Sequence, residues 1–445
     1  MIIDRELEKY IIFEEESIVD ALQKISENKV RAVLTVTQSG RLQGVLTDGD
    51  FRRWLITQNS VDLTTHVKAV ANSNFFALPY VTLPDEIRSH LSDSVNIIPL
   101  VDDQNHIVAV ARGHMEVVFI GGKKVAASSQ TFVIAEIGNN HNGNINTAHK
   151  LIDAAVEACA DGIKFQMRNM ELLYLNKGNS NDPSQDLGSQ YTLDLLSRFN
   201  LAKEQLYELF DYTRERGGIP LCTPWDTDSA DNLNEYGMDA FKIASADLTN
   251  HHLVRHVASF GKAILLSTGM SREDEILEVV RILQEIGTPY ILFHCNSTYP
   301  TPFKDVNLKY LRRLNKIGSE VVGYSGHERG FHIALAAVAL GAKVIEKHIT
   351  LDRDMEGNDH KVSLLPEEFK LMVNQIRDLE ESLGAEKLRS LSQGELINRE
   401  TLAKSLVAKR TIKPDEIITK DMIAVRGPGN GLQPNREKEL IGHRA

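Results

Sequence analysis

The chain has 445 residues, 42% hydrophobic and 25% charged, with a net charge of −11 at pH 7. Its length predicts two to four domains, and its acidic balance excludes nucleic acid as the main partner. No apolar run reaches 18 residues, so no membrane span is expected.

The start, "MIIDRELEKYIIFEEESIVD", is acidic and lacks the basic-then-apolar order of a signal peptide. Cys159, Cys222 and Cys295 lie far apart, which predicts reduced thiols, a cytoplasmic location and no cysteine-based zinc site. Residues 1–119 read as one motif used twice. The first copy, "SIVDALQKISENKVRAVLTVTQSGRLQGVLTDGDFRRWL", gives helix, strand, Gly turn, strand and helix, and "LPDEIRSHLSDSVNIIPLVDDQNHIVAVARG" repeats that order. The pair resembles a tandem CBS module. That resemblance implies an adenosine nucleotide held at its ribose by Thr47 and Asp50 of "GVLTDGD", while "AVARGHM" in the second copy lacks both residues. A packing module without a ligand fits the same sequence.

Residues 120–130, "IGGKKVAASSQ", read as a linker or a short leading hairpin. Beyond them, short apolar runs begin at 132, 162, 219, 240, 263, 290, 321 and 343, with helical periodicity in most of the gaps. Eight strands alternating with helices predict a (β/α)8 TIM barrel over 131–390, an α/β fold. A doubly wound open sheet is the alternative, but "AEIGNNHNG" is not the glycine-rich loop such a sheet carries after its first strand. From 398 to 445 short strands, Pro and Gly predict a small β-rich domain with little room for a core of its own.

In such barrels chemistry gathers at the C-terminal strand ends, where residues two apart share a face. Glu136 ends the first strand. Lys164 and Gln166 share a face of the second, Thr223 ends the third, and Lys242 lies on the fourth with Ser245 and Asp247 following. Ser267 ends the fifth, Ser297 and Tyr299 follow the sixth, and Ser325 and His327 end the seventh. On the eighth, Glu346 and His348 share a face and Lys347 takes the other. Two lysines among Ser and Thr hydroxyls suit a phosphate-sized anion. Two histidines on adjacent strand ends suit a divalent metal, zinc included, and Glu136 and Glu346 are acid/base candidates. His141 and His360 read as loop histidines, Cys222 and Cys295 as core.

The motifs "IAEIGNNHNG", "IKFQ", "FKIASAD", "LLSTGM", "HCNSTYPTP", "VGYSGHERG", "GAKVIEKHITLD" and "NDHKVSL" resemble the sialic acid (N-acetylneuraminate) synthases, with the legionaminate and pseudaminate synthases. They cover about 130–365 in the family's order. The tail "SLVAKRTIKPDEIITKDMIAVRGPGNG" resembles the start of that family's SAF (antifreeze-like) domain. The resemblance implies condensation of phosphoenolpyruvate with an open-chain N-acetylated hexosamine aldehyde. N-acetylmannosamine is the first choice of acceptor and a 2,4-diacetamido sugar the alternative. It also implies Mn2+ or a similar ion (Mg2+, Co2+) on His327 and His348. Lys164, Thr223, Lys242, Ser245, Ser267 and Ser325 would grip phosphoenolpyruvate, while Gln166, Tyr299 and Asp359 would contact the sugar. Glu136 would stabilise the positive charge that develops, and Glu346 would position or activate water. A homodimer through the SAF domain is implied as well.

Three departures stand out. Many bacterial members carry Asn where this chain has Ser297. The family's Arg just before "PGNG" is replaced by Gly427, with Arg426 one residue earlier. The CBS pair is an addition to the usual architecture. Two other classes compete: a Schiff-base aldolase or lyase using Lys164 or Lys242, and a nucleotide-sensing protein with a silent barrel. The stretch 169–192, "NMELLYLNKGNSNDPSQDLGSQYT", is expected to shape the acceptor site.

Overall fold

Every apolar run of the central region becomes a strand, and the eight strands close on one another. The structure, a computed structural model, describes residues 2–28, 32–58, 61–91, 95, 97–112, 117–174, 193–318, 321–384 and 388–445. It divides into two compact units, Met1–Leu383 and Gly384–Ala445. The barrel strands are β1 (Phe132–Gly138), β2 (Gly162–Met167), β3 (Ile219–Pro224), β4 (Ala240–Ile243), β5 (Ala263–Ser267), β6 (Tyr290–Cys295), β7 (Val322–Gly326) and β8 (Ala342–His348). They pair in parallel in chain order, and β8 closes onto β1 with Glu136 opposite His348. The fold is therefore a TIM barrel and not an open sheet.

The inward positions of the strands change character along their length. Phe132, Ile134, Leu221, Leu265, Phe293 and Val344 fill the lower half as one buried cluster. Two residues further up the same faces stand Glu136, Thr223, Ser267 and Glu346. Apolar side chains thus plug the floor, and polar ones line a cup above it. The outer face packs on amphipathic helices such as Glu273–Ile286, whose Ile276, Val279, Val280 and Leu283 are buried at helical spacing. Gly287 ends that helix at φ 79°, a left-handed value that a side chain would resist.

Residues 118–125 form an antiparallel hairpin around Gly121 and Gly122, the second of the two forms expected there. Val118, Ile120 and Val125 join the apolar floor, so the hairpin closes the lower end of the barrel. Ahead of it lie two sheets, each built on an antiparallel pair: Ala32–Val36 with Leu42–Thr47, and Ile97–Val101 with Ile107–Arg112. Hydrogen bonds of 2.9 Å, from the Leu42 amide to the Asn105 carbonyl and from Asn105 Nδ2 to the Leu42 carbonyl, join the tips of the two pairs. Leu34, Leu42, Ile97 and Val110 then share one core, so neither copy closes alone.

The C-terminal unit carries a helix, Gln393–Leu402, and one two-stranded pair, Ser405–Ala408 with Ile423–Arg426. Met422 is its one buried large apolar side chain among the described residues. No helix of the described residues is long and apolar enough to cross a membrane.

Just past β1, His141 is buried, and its Nδ1 accepts a bond from the Gly143 amide at 3.0 Å, as a neutral ring does. Burial, aided by the Arg168 guanidinium, holds its pKa down to about 4. Its contribution to stability is therefore complete above pH 6.5 and is lost as pH falls towards 4, because only the unfolded ring takes up a proton in that window. Between pH 7 and pH 5 the wild-type melting temperature should fall by ~3 °C more than that of His141→Asn. Equal falls in the two proteins would contradict this account of His141.

Candidate active site

Because β1–β8 point their upper inward residues at one axis, the polar groups meet in a single cavity of about 260 Å3. Glu136, Lys164, Gln166, Thr223, Lys242, Ser245, Ser267, Ser297, Tyr299, Ser325, His327, Glu346, His348 and Asp359 all line it. Asp247 does not. It closes the short 3-10 turn Ser245–Asp247, where its Oδ1 accepts from Asn250 at 3.0 Å.

Glu346 is the centre of charge. Its carboxylate lies 3.7 Å from Lys164 Nζ and 3.8 Å from Lys242 Nζ, and accepts from Ser325 Oγ at 3.1 Å. Lys164 also pairs with Glu136 at 2.7 Å and donates to Thr223 at 3.1 Å, while Lys242 donates to Ser267. Two ammonium groups thus stand beside one another, each with a hydroxyl at its side. Burial works to raise the pKa of Glu346, but the Lys164 and Lys242 ammonium groups outweigh it and hold the group near 2. Glu136 goes the other way, pushed up by burial and by the Glu346 charge, with Lys164 opposing. Lys164 is raised by its two carboxylates despite burial, whereas burial lowers Lys242, whose nearest carboxylate among the described residues is Glu346 at 3.8 Å.

On the adjoining wall the rings of His327 and His348 lie 5.6 Å apart. His327 Nδ1 donates to the Asn296 carbonyl at 2.7 Å, which fixes the tautomer and leaves Nε2 as the acceptor nitrogen, bonded at 2.9 Å by the Tyr299 hydroxyl. His348 Nδ1 is buried without a hydrogen-bond partner, 3.9 Å from Asp359 Oδ2. Burial drives the pKa of His327 down to about 3 and lowers that of His348, so both rings are neutral. Two neutral imidazoles, one with an orphaned nitrogen, fit a divalent ion whose other positions go to substrate or water oxygens. No group of three or more His, Cys, Asp or Glu side chains forms a metal cage among the described residues.

Seven lining residues were not anticipated, among them Asn139, Arg168 and Trp225, whereas Tyr174 lies in the stretch 169–192 expected to shape the acceptor site. Arg168 donates to Asn139 Oδ1 at 3.0 Å and to Gln166 Oε1, and its guanidinium stacks 5.0 Å above Trp225. Trp225 Nε1 bonds the same Gln166 oxygen at 3.2 Å, and Gln166 Nε2 donates to Glu136 at 2.9 Å. Arg168 keeps the parity of Lys164 and Gln166, but it lies one residue beyond β2, where alternation is no guide. Residues 175–192 of the stretch expected to shape the acceptor site lie outside the described residues.

Thr47 and Asp50 have a local task. They form the capping box of helix Asp48–Thr57, with Asp50 Oδ2 accepting from the Thr47 amide and hydroxyl at 2.9 and 2.6 Å. Cys222 is core, its thiol pushed up by burial, and Cys295 touches Ser245 Oγ at 3.0 Å. His360 is held between Thr350 and Asn142, as a packed loop histidine would be.

A closed barrel with cations for an anion, paired carboxylates and two convergent imidazoles at the strand ends defines a class: a lyase- or synthase-type barrel centre. Comparison with known proteins makes it particular. The NeuB family matches residues 151–388, and a CBS domain matches residues 7–57. The N,N'-diacetyllegionaminic acid synthase of Campylobacter jejuni is 40% identical over 70% of this chain and 95% of its own length. The N-acetylneuraminate-9-phosphate synthase of Homo sapiens is 33% identical over 74% of this chain and 92% of its own. The crystal structure of the N-acetylneuraminic acid (sialic acid) synthetase of Leptospira borgpetersenii, in complex with citrate, superposes with a TM-score of 0.58 at 32% identity, covering 65% of this chain and 99% of that one. The chain belongs to the NeuB family.

Proposed function

We propose that the protein is a nonulosonic acid synthase that condenses phosphoenolpyruvate with the open-chain aldehyde of an N-acetylated hexosamine. N-acetylmannosamine is the first choice and a 2,4-diacetamido sugar the alternative. The observation that carries this is the placement of Lys164 and Lys242 around Glu346, facing two neutral imidazoles in the same cup. The relatives named as synthases of legionaminic and neuraminic acids support the same reading.

Lys164, Lys242 and the hydroxyls of Thr223, Ser245, Ser267 and Ser325 hold the phosphate and carboxylate of phosphoenolpyruvate. A divalent ion, Mn2+ or a similar one, would be held by His327 and His348 and supplies Lewis-acid polarisation of the aldehyde oxygen. Gln166, Tyr299 and Asp359 orient the sugar. The C3–aldehyde carbon bond forms, the aldehyde oxygen gains a proton, and positive charge develops at C2, where Glu136 faces it. Water then adds to C2 and passes a proton to Glu346. The C2–O bond to phosphate breaks with its electron pair, and the phosphate takes the proton held by Glu346. The remaining C2 hydroxyl gives its proton to solvent to form the ketone, which balances the proton the aldehyde oxygen took up from solvent. A phosphate dianion lying between the two ammonium groups weakens their hold on Glu346, so its basicity rises when the water must be activated. Turnover in 18O-water should place no label in the phosphate; labelled phosphate would mean attack at phosphorus and refute this sequence of bonds.

Gly269 tests the phosphate side. A Cβ there would meet Ser245 Oγ at 2.7 Å and Cys295 Sγ at 2.9 Å, and would also strike Ser297 Oγ. Gly269→Ala should raise KM for phosphoenolpyruvate by ~10-fold or more, since a misplaced anion contact costs at least ~1.4 kcal/mol. An unchanged KM would remove Ser245 from the anion site. Nucleotide binding at Thr47 and Asp50, and a homodimer through the C-terminal SAF-like domain, belong to this proposal as its regulatory and assembly parts.

A further inference from the structure

The described mechanism leaves one buried ion pair unused. Lys347 and Glu328 are both fully buried, on the side of β7 and β8 that faces away from the cavity, with Lys347 Nζ 3.2 Å from Glu328 Oε1. The same ammonium donates to the Glu328 backbone carbonyl at 2.8 Å, and the Tyr324 hydroxyl donates to Glu328 Oε2 at 2.7 Å. Gly326 makes room for this arrangement. A Cβ on it would lie 2.7 and 2.8 Å from the two carboxylate oxygens.

Burial of such a pair is not a device for stability, because an apolar pair of similar volume commonly serves as well or better. Its position suggests another task. The β7–β8 ladder ends at the pair Gly326–Lys347, and His327 and Glu328 lie one and two residues beyond it. There the Lys347 side chain takes the place of the missing ladder amide by binding the Glu328 carbonyl. Lys347 lies between Glu346 and His348 in sequence, and Glu328 directly follows His327. On its other side His348 is already fixed by the pairing with Glu136 of β1 and by the 2.9 Å bond from Leu364 N to its carbonyl.

We infer that Lys347 and Glu328 are positioning residues: their buried clip, completed by Tyr324, sets the spacing of His327 and His348 and so the affinity of the site for a divalent cation. The inference rests on the reading of those histidines as a metal site. It makes the outer face of the strand pair part of the binding machinery, though neither residue touches substrate or metal.

The test uses the full chain, Mn2+ titrated with detection by electron paramagnetic resonance, and phosphoenolpyruvate titrated by calorimetry without metal. Lys347→Met alone leaves Glu328 buried and uncompensated, so the informative protein is Lys347→Met/Glu328→Gln, which removes both charges and keeps an acceptor for Tyr324. Mn2+ affinity should fall 10- to 100-fold, the range for lost outer-shell partners, with melting temperature and phosphoenolpyruvate affinity close to wild type. Mn2+ affinity within twofold of wild type would overturn the inference. So would a joint fall of both affinities and melting temperature, which would make the clip merely structural. A wild-type chain that binds no Mn2+ while still binding phosphoenolpyruvate would instead refute the metal reading itself, and the clip's role with it.

Discussion

Glu346→Gln should lower kcat by ~10²–10⁴-fold, the range for a lost acid/base group. The substitution keeps the volume and an acceptor for Ser325, so the effect is electrostatic and not steric. It removes the base that would take the proton from water. It also removes the one carboxylate that, among the described residues, lies within ion-pair distance of Lys242, whose pKa burial already lowers. Lys242 should then lose its proton nearer neutral pH, and KM for phosphoenolpyruvate should rise as pH increases from 7 to 9, more steeply than in wild type. Lys164 keeps Glu136 and should not titrate in that range. Steady-state kinetics across those pH values read both effects. A variant within about tenfold of wild-type kcat would exclude Glu346 from proton transfer.

His348→Ala should abolish the response to Mn2+ and cost ~10³-fold or more in turnover, because a two-imidazole site that loses one ring keeps a single protein ligand. The fold should survive. The ring faces the cavity, whereas its neighbours Ile345 and Ile349 pack in the apolar layer behind the strands. Circular dichroism checks the fold and Mn2+-dependent phosphate release checks the function. Metal stimulation equal to wild type would refute the assignment of His348.

These effects trace back to what a strand's two-residue period makes readable. The run "KVIEKHITLD" mixes charge into an apolar strand, and parity alone separates Glu346 and His348 from Lys347. The cup bears that out: the first two line the cavity, and Lys347 is buried on the opposite face. The same rule located Lys164, Thr223, Lys242, Ser267 and Ser325, all within strands or at their last residue.

It failed where the backbone leaves the extended form. Asp247 follows Ser245 by two residues, yet a 3-10 turn carries it out of the cavity lining. Arg168 and Trp225 enter the cavity from loops, where no period applies. The partner of Lys347 could not be read at all, since Glu328 lies 19 residues away and meets it only once β7 and β8 are paired. At the N-terminus the repeat was legible as a repeat. The capping box shows that Thr47 and Asp50 have a local reason to be present, whatever ligand the module takes.

The central claim is that this barrel joins phosphoenolpyruvate to an acetamido sugar. Mass spectrometry of reactions containing phosphoenolpyruvate, Mn2+ and a panel of acetamido hexoses tests it most directly. One acceptor should give a product heavier by a single pyruvate unit, with one equivalent of phosphate released and no lysine adduct trapped by borohydride. Absence of product and phosphate with every acceptor, or a trapped pyruvyl adduct on Lys164 or Lys242, would contradict it.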